Sequence, residues 1–418
     1  MLTEPLDLEA ALKLAFIRNG EIRRRYAQLG ISHADLQAAA RIANPRLSLS
    51  WLHPQGGGPN ETSQSVFVTF SDLLLLPSRR RLSAADFRRT EFAVMSALME
   101  LRKDVETAWY TQVSALQNQM LREAAAQAAD TALELAQRFH AAGNIAQLEL
   151  DEQRMRAAGA RLAALRAKSD AADARRRLAG LLGLRSSDPW QTAGRLPEPP
   201  GEEISATAVV ATAIAQRHDL AAAGEEVAML EDALATTRRW RLLRPIGVGY
   251  EREHDAGGEV RRGPGLTAEL PLFDQGQAAI ARLEARLLDA RARRDALALD
   301  VENSVHTEIE RLQLAHEIYA AYRDRLMPAA ASAVERRQER VNFMLEGVFS
   351  LLQARGERYD IQAGWLAAVR DYWIARAALR AELGGPLPGD DEPRPLTISL
   401  DDAMPPAESE HAHHGGDP

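Results

Sequence analysis

The sequence contains no cysteine, which excludes disulfides, thiolate zinc sites and cysteine nucleophiles and leaves the redox compartment open. Aromatic residues make up only 5% of the chain although apolar residues reach 46%. Ala and Leu, set among many Arg and Glu, carry the apolar content, a profile of long helices packed side by side. No run of about 18 apolar residues occurs, which excludes a transmembrane helix. A membrane β-barrel stays open, because its strands alternate and keep hydropathy low. There is no basic block, and the formal charge is −8, so no nucleic acid is expected as a partner. The first twenty residues carry Glu4, Asp7, Glu9, Lys13 and Arg18, so a signal-peptide core is not expected within them; an exported chain would have had its signal removed or its start misplaced. With 418 residues the chain exceeds one compact core and suits two to three units or an extended molecule, and the composition favours the extended one.

What is present is a repeat at about half the length of the chain. Ala15 to Ile22 has a counterpart in Ala213 to Leu220, and Pro45 followed by Leu47, Leu49 and Trp51 recurs as Pro245 followed by Ile246, Val248 and Tyr250. Asp104-Val105-Glu106 recurs 196 residues later as Asp300-Val301-Glu302, and Leu182-Gly183 recurs 201 later as Leu383-Gly384. The spacing Phe139, Gly143, Leu148 recurs 204 residues later as Phe343, Gly347, Leu352. The drift in offset implies extra helical residues between Val301 and Gly347. The expected organisation is a first repeat over 1–195, with a β-hairpin at 46–71 and a helical hairpin at 78–183. A second repeat spans 196–385, with a β-hairpin at 245–271 and a helical hairpin at 277–384. An acidic tail, expected to be disordered, spans 386–418.

Each half opens with a helix expected to run about 35 residues, Leu8 to Ile42 and Ile204 to Arg239. The periodicity then switches to two. Leu47, Leu49 and Trp51 alternate with Arg46, Ser48 and Ser50; Val66, Val68 and Phe70 alternate with Ser65 and Thr69, and only Phe67 breaks the pattern. In the second half Ile246, Val248 and Tyr250 alternate with Gly247 and Gly249, and Leu266, Ala268 and Leu270 with Gly265, Thr267 and Glu269. These are two hairpins, apolar on one side and polar on the other. From Ser78 to Ala142 there is neither Pro nor Gly, so a rod about 100 Å long is expected. It turns at Gly143 and returns to Gly183; the second rod is kinked at Pro328, turns at Gly347 and returns to Gly384. The return helices are too short to match the rods unless the opening helices stack end to end on them.

The fold class expected is therefore mainly α with a small β part, duplicated, with long antiparallel helical hairpins and four strands per chain. Four strands cannot close a barrel, since about eight is the smallest membrane size, and an open edge in lipid leaves backbone groups unpaired. Three copies give a trimeric 12-stranded transmembrane β-barrel continued by a helical α-barrel, an object built to conduct.

The order of elements, Arg138-Phe139-His140-Ala141-Ala142-Gly143 leading into Leu148-Glu149-Leu150, and Gly347 to Arg355 followed by Arg370 to Ala377, resemble the outer membrane efflux protein family, of which TolC is the namesake. The resemblance covers Leu6 to Gly385. It implies a homotrimer in the outer membrane of a Gram-negative bacterium, reaching across the periplasm to an adaptor protein and an inner-membrane pump. Leu73 to Pro77 before Arg79-Arg80-Arg81 looks closest to the heavy-metal branch. Members usually begin with a signal sequence, often with a lipid-accepting Cys, and this chain has neither.

The resemblance implies adaptor docking at the helical tips, at Gly143, Asn144, Ala146, Gly347, Val348 and Ser350; as structural residues Gly143 and Gly347 are expected to serve a turn needing positive φ or close approach. Past the tips the family often carries acidic residues that narrow the pore. The matching positions hold Glu149 and Gln353, with Asp151 and Arg355 nearby, and a threefold ring of Glu149 would select cations; a solvated helix face is the competing reading. His411, His413 and His414 lie among tail carboxylates, a set suited to transition metals, against which stands a plain acidic tail with no ligand role. Trp365, Tyr372 and Trp373 are expected to be packing residues. No HExxH, GxSxG or phosphate loop occurs, so neither an enzyme nor a cofactor is expected. A periplasmic adaptor would carry one helical hairpin rather than two, and a cytosolic coiled-coil scaffold leaves the strands unexplained. The expected function is an efflux exit duct, for heavy-metal cations or for drugs and other organic solutes.

Overall fold

The computed structural model describes residues 5–53, 60–185, 187–192, 195–200, 206–242, 246–255, 257 and 259–387. The chain forms two compact units, and both sequence repeats contribute to each: one holds the chain up to Arg24, Ser96–Arg217 and the part from Asp300 on, the other Arg25–Met95 and His218–Leu299.

The second of these units contains a four-stranded antiparallel sheet in the order β1 (Arg46–Leu52), β2 (Glu61–Thr69), β3 (Ile246–His254), β4 (Val260–Ala268). The two hairpins expected from alternation are present, and β2 joins β3 to make one sheet, with Val66 opposite Tyr250 and Phe67 opposite Gly249. The helix α3 (Phe70–Ala141) begins directly after β2 rather than at Ser78. Leu73 to Leu76 and Pro77 are thus helical, and Pro77 deprives only the Leu73 carbonyl of its partner. Helix α6 (His218–Arg239) packs on the start of α7 (Gln277–Ala321) through Val227, Leu230, Leu234, Leu287 and Ala290. The pairs Arg238–Glu284 and Arg291–Glu231 flank that seam at 2.5 and 2.6 Å. Being exposed, they orient more than they stabilise.

The opening helices are broken, not continuous. The first half has α1 (Leu8–Arg18) and α2 (Gly20–Ala39), the second α5 (Ala206–Gln216) and α6. The breaks fall at Asn19 and Arg217, equivalent positions of the repeat. Asn19 is extended, with φ −63° and ψ 125°, and its Oδ1 accepts from the Glu21 and Ile22 N–H groups at 2.9 and 3.3 Å, starting α2 as a cap. Its Nδ2 donates to the Leu181 carbonyl at 3.0 Å, at the end of the return helix α4 (Gln147–Leu181). Gly183, at φ +65°, lies so close to Arg18 that a Cβ would sit 2.6 Å from the Arg18 carbonyl oxygen. The second copy builds the same joint differently: Gly384, at φ +68°, abuts Gln216 and Arg217, and the Arg217 guanidinium pairs with Glu382 of the return helix α9 (Val348–Leu383). Each return helix thus ends against the break in the opening helix of its own half.

The first unit buries Val105, Trp109 and Val113 of α3 and small residues of α4, Ala157, Ala167, Ala171 and Ala174, whose short side chains let helices approach closely. Trp109 Nε1 donates to the Leu6 carbonyl at 3.1 Å. Glu106 is 1% exposed, and its carboxylate accepts from Arg102 and Arg380 at 2.8 Å each, which satisfies a charge that would otherwise be costly to bury. Trp365, Tyr372 and Trp373 pack as expected: Trp365 and Trp373 flank the core of Tyr319, Ala368 and Val369, and Trp373 stacks on Tyr110 with ring centroids 5.4 Å apart.

In the second hairpin a π-helical turn, Tyr322–Leu326, separates α7 from α8 (Met327–Asn342), and Pro328 stands in the first turn of α8. Pro328, where a kink is expected, follows this π turn. The Tyr322 ring lies over Gly364 of α9, where a Cβ would come within 2.4 Å of its hydroxyl.

Candidate functional site

Two surfaces carry the residues that could act, and the first is one face of the sheet. Strand parity and register place Leu47, Leu49 and Trp51 of β1, Val66 and Val68 of β2, Ile246, Val248 and Tyr250 of β3, and Pro264, Leu266 and Ala268 of β4 on one side. Most of these apolar side chains stand open, Trp51 62% exposed and Leu266 73%, while Val68 and Ile246 are half-buried. Leaving so much contiguous apolar surface uncovered exceeds what a monomer tolerates in water. Phe70, Leu270, Leu272 and Phe273, also exposed, extend the apolar surface beyond the ends of β2 and β4. The opposite face carries Ser48, Ser50, Ser63, Ser65 and Glu251. Phe67, the exception in the alternation, lies on that polar face, where Gly249 and Gly265 leave a trench for its ring. Among the described residues the outer sides of β1 and β4 pair with no strand.

The second surface is formed by the helical tips. At the first, Gly143 takes φ +77°, its N–H donates to the His140 carbonyl at 2.9 Å and the Asn144 N–H donates to Phe139 at 2.9 Å, a left-handed helix cap. Ala146 precedes α4 as its extended N-cap. At the second tip the same hydrogen bonds are made three residues before Gly347. Met344 takes the left-handed position at φ 59°, with Met344 N–H donating to Val341 at 3.0 Å and Leu345 N–H to Arg340 at 2.8 Å. Gly347 has φ −75° and ψ 152°, is the N-cap of α9, and has open space where a Cβ would go. Gly347 therefore needs neither positive φ nor close approach, and the expectation on that point is corrected. The structural equivalent of Gly143 is Met344, and that of Ala146 is Gly347. The tips are offset by 201 residues, as Gly183 and Gly384 are, not by 204; the buried pair Leu150 and Leu351 follows the same offset.

Val348 opens α9 half-buried, and Ser350 Oγ donates to the Gly347 carbonyl at 2.8 Å. Phe349 meets Phe139 edge to face at 6.0 Å, joining the two tips. Phe343, Met344 and Leu345 were missed in the sequence, yet they form the most exposed apolar run of the second tip, with Met344 94% exposed. The signal available was an apolar triplet at a helix reversal, where polar residues are usual.

With the corrected offset, Glu149 matches Ser350, Gln353 matches Glu152 and Arg355 matches Arg154. Glu149 and Asp151 stand half-buried in the first turns of α4. Asp151 accepts from Gln147 at 3.0 Å and Arg154 at 2.9 Å. The Gln147 hydrogen bond first, then Arg154, hold its carboxyl below the usual range. Gln353 and Arg355 are exposed on α9, bonded to Glu357 and Gln338 at 3.0 and 3.1 Å. Both line a cleft of about 530 Å³ with Arg122, Gln153, Arg156 and Asp360; Glu149 and Asp151 do not. His411, His413 and His414 lie outside the described residues. Among the described residues no group of three or more His, Asp or Glu is placed to hold a metal ion.

No family model matches the sequence, and no curated protein matches it. Solved structures do. The chain is similar to a membrane protein from Pseudomonas aeruginosa at 17% identity and a TM-score of 0.75, over 90% of this chain and 92% of that one. It is similar to the outer membrane channel CmeC of Campylobacter jejuni at 13% identity and a TM-score of 0.78, over 92% and 87%. It is also similar to the open state of the outer membrane channel MtrE of Neisseria gonorrhoeae at 15% identity and a TM-score of 0.72, over 90% and 89%. Identities this low establish the fold, a mostly helical chain with four antiparallel strands shared with outer-membrane channels.

Proposed function

We propose that the chain is one subunit of an exit duct in an outer membrane, closed by three copies. The observation that carries this reading is the sheet: one face apolar and exposed, the other polar, with a free edge on both outer strands. Lipid is the solvent that accepts the apolar face, and it forbids the free edges, because each unpaired backbone group costs several kcal/mol there. Pairing β1 of one copy with β4 of the next satisfies every edge, and the serine-rich face then lines an aqueous lumen. The helical tips at Gly143, Asn144, Ala146, Gly347, Val348 and Ser350, with Phe343, Met344 and Leu345, dock a periplasmic adaptor that connects the duct to an inner-membrane pump. Such a molecule conducts and does no chemistry.

The cargo is a transition-metal cation. This finer reading draws on the sequence likeness to the heavy-metal branch, on Glu149 beside the first tip, which three copies would set in a ring, and on the His411, His413 and His414 tail. Deleting the gene and comparing tolerance of copper, zinc, cobalt, cadmium and a drug panel tests it. Metal sensitivity supports the cargo. New sensitivity to drugs alone, with unchanged metal tolerance, overturns the metal and leaves the duct. Recovery of the exported chain as a soluble monomer overturns the duct itself.

A further inference from the structure

The apolar sheet face has one strongly charged interruption. Arg252 of β3 and Arg262 of β4 are register partners, side by side on the same face as Val248, Tyr250 and Leu266. Both are exposed, and among the described residues neither has an ion-pair or hydrogen-bond partner. Like charges directly opposite on neighbouring strands are destabilising. The row they occupy continues through Gln64 to Leu49, neither of which is acidic. Closure of the barrel does not help, because the strand that would flank β4 is β1 of the next copy, which presents Leu47, Leu49 and Trp51 on this face. Among the described residues, therefore, nothing supplies the two guanidinium groups with an anion.

Their depth says where the anion comes from. The row lies between that of Tyr250 and the last row, which holds Trp51, Thr62, His254 and Val260, at the end of the sheet remote from the helices. Tryptophan on a lipid-facing strand marks the headgroup level. Arginine on that face is strongly disfavoured at the bilayer midplane and costs almost nothing near the interface. With the helices in the periplasm, this end faces the outer leaflet.

We propose that Arg252 and Arg262 form a clamp for a phosphate group of an outer-leaflet glycolipid, two guanidinium forks closing on one phosphomonoester by paired charge-assisted hydrogen bonds. His254, one row further out, stands beside the same headgroup. The assignment rests on the outer-membrane reading above, and it concerns lipid, not cargo.

Native mass spectrometry of the full chain, extracted as a complex from outer membranes and titrated with a phosphorylated lipid A, tests it. The wild type should retain the lipid, R252Q/R262Q should bind it about tenfold more weakly, and R252K/R262K should fall between the two, because an ammonium keeps the charge but loses the bidentate fork. Lipid A stripped of its phosphates should bind the wild type no better than phosphorylated lipid binds the Gln variant, and inorganic phosphate alone should not compete at equal concentration. Equal retention by wild type and Gln variant, or indifference to removal of the phosphates, overturns the clamp. Membrane insertion is read in the same samples. A wild-type chain that fails to insert overturns the duct reading as well, whereas an inserted complex indifferent to both arginines overturns the clamp alone.

Discussion

Phe67 and Gly249 face each other across the β2–β3 ladder, and the phenyl ring fills the space a side chain at 249 would need: a Cβ there would lie 2.5 Å from the ring and 2.4 Å from the Val66 carbonyl oxygen. Gly265, opposite Gly249 on β4, extends the trench, with the tip of the ring 3.0 Å from where its Cβ would be. An aromatic side chain laid over glycine restores the packing that glycine lacks and pins strand register.

Gly249→Ala is expected to destabilise the sheet by about 1–3 kcal/mol, the usual cost of overpacking. Gly263→Ala, on the same face of β4 with open space around it, is the control and should be neutral. The heat needed to dissociate the assembled complex on a denaturing gel reads both, and equal behaviour would remove the role given to Phe67.

The joint at Gly183 and the tip at Gly143 should respond unequally to substitution. Gly183→Ala combines a φ of +65° with a Cβ 2.6 Å from the Arg18 carbonyl oxygen, so it should cost more than the about 1 kcal/mol of a left-handed residue alone. Gly143→Ala, with open space around it, should cost only that conformational term. Thermal unfolding of both variants decides the order, and a Gly143 variant less stable than the Gly183 variant would contradict the joint.

At the second tip, Met344→Gly should stabilise by about 1 kcal/mol, since Met344 and not Gly347 holds the left-handed position. Gly347→Val should leave folding nearly unchanged. Replacing Phe343, Met344 and Leu345 by Ser should abolish transport while leaving assembly intact, because an exposed apolar run at a tip serves a partner and not a core. Resistance assays and complex yield, measured together, separate the two effects.

His218 stacks on Phe92, with ring centroids 6.2 Å apart, and its burial lowers the imidazole pKa, partly opposed by Asp219. A folded pKa below the unfolded one means that the unfolded chain binds the proton more readily. Stability from this site is therefore complete above pH about 6.5 and falls as the pH drops through the folded value. Unfolding midpoints at pH 7.5 and 5.5 should differ more in the wild type than in His218→Gln; an unchanged difference would assign the acid sensitivity elsewhere.

Much of this architecture was legible in the sequence because its signals are local. Alternation in Leu47, Leu49, Trp51 and in Val66, Val68 located the strands to within a residue or two, and Gly143 marked a true left-handed turn. The helix start was misplaced because Pro77 reads as a boundary, although a proline costs only one hydrogen bond when the neighbouring turns are held. The break at Asn19 was invisible to periodicity, since the apolar pattern runs through it while the side chain recaps the helix. The tips were misregistered because Phe139 and Gly143 find chance matches in Phe343 and Gly347. The backbone instead aligns Gly143 with Met344, which leaves five extra residues between Val301 and the second tip. One α turn absorbs about four of them, and the π turn at Tyr322–Leu326 accommodates the remainder. Phe67 and the pair Arg252 and Arg262 could be understood only once β3 was seen to lie beside β2 and β4.

The most direct test of the central claim uses the absence of cysteine. Cysteines introduced in pairs, one at Ser48 or Ser50 on β1 and one at Gly263, Gly265 or Thr267 on β4, cannot meet within one chain, because these strands lie at opposite edges of the sheet. If copies close a barrel edge to edge, oxidation in intact outer membranes should give a ladder ending at three chains for at least one pairing. A ladder that runs past three, or a chain that stays monomeric for every pairing, would contradict the duct.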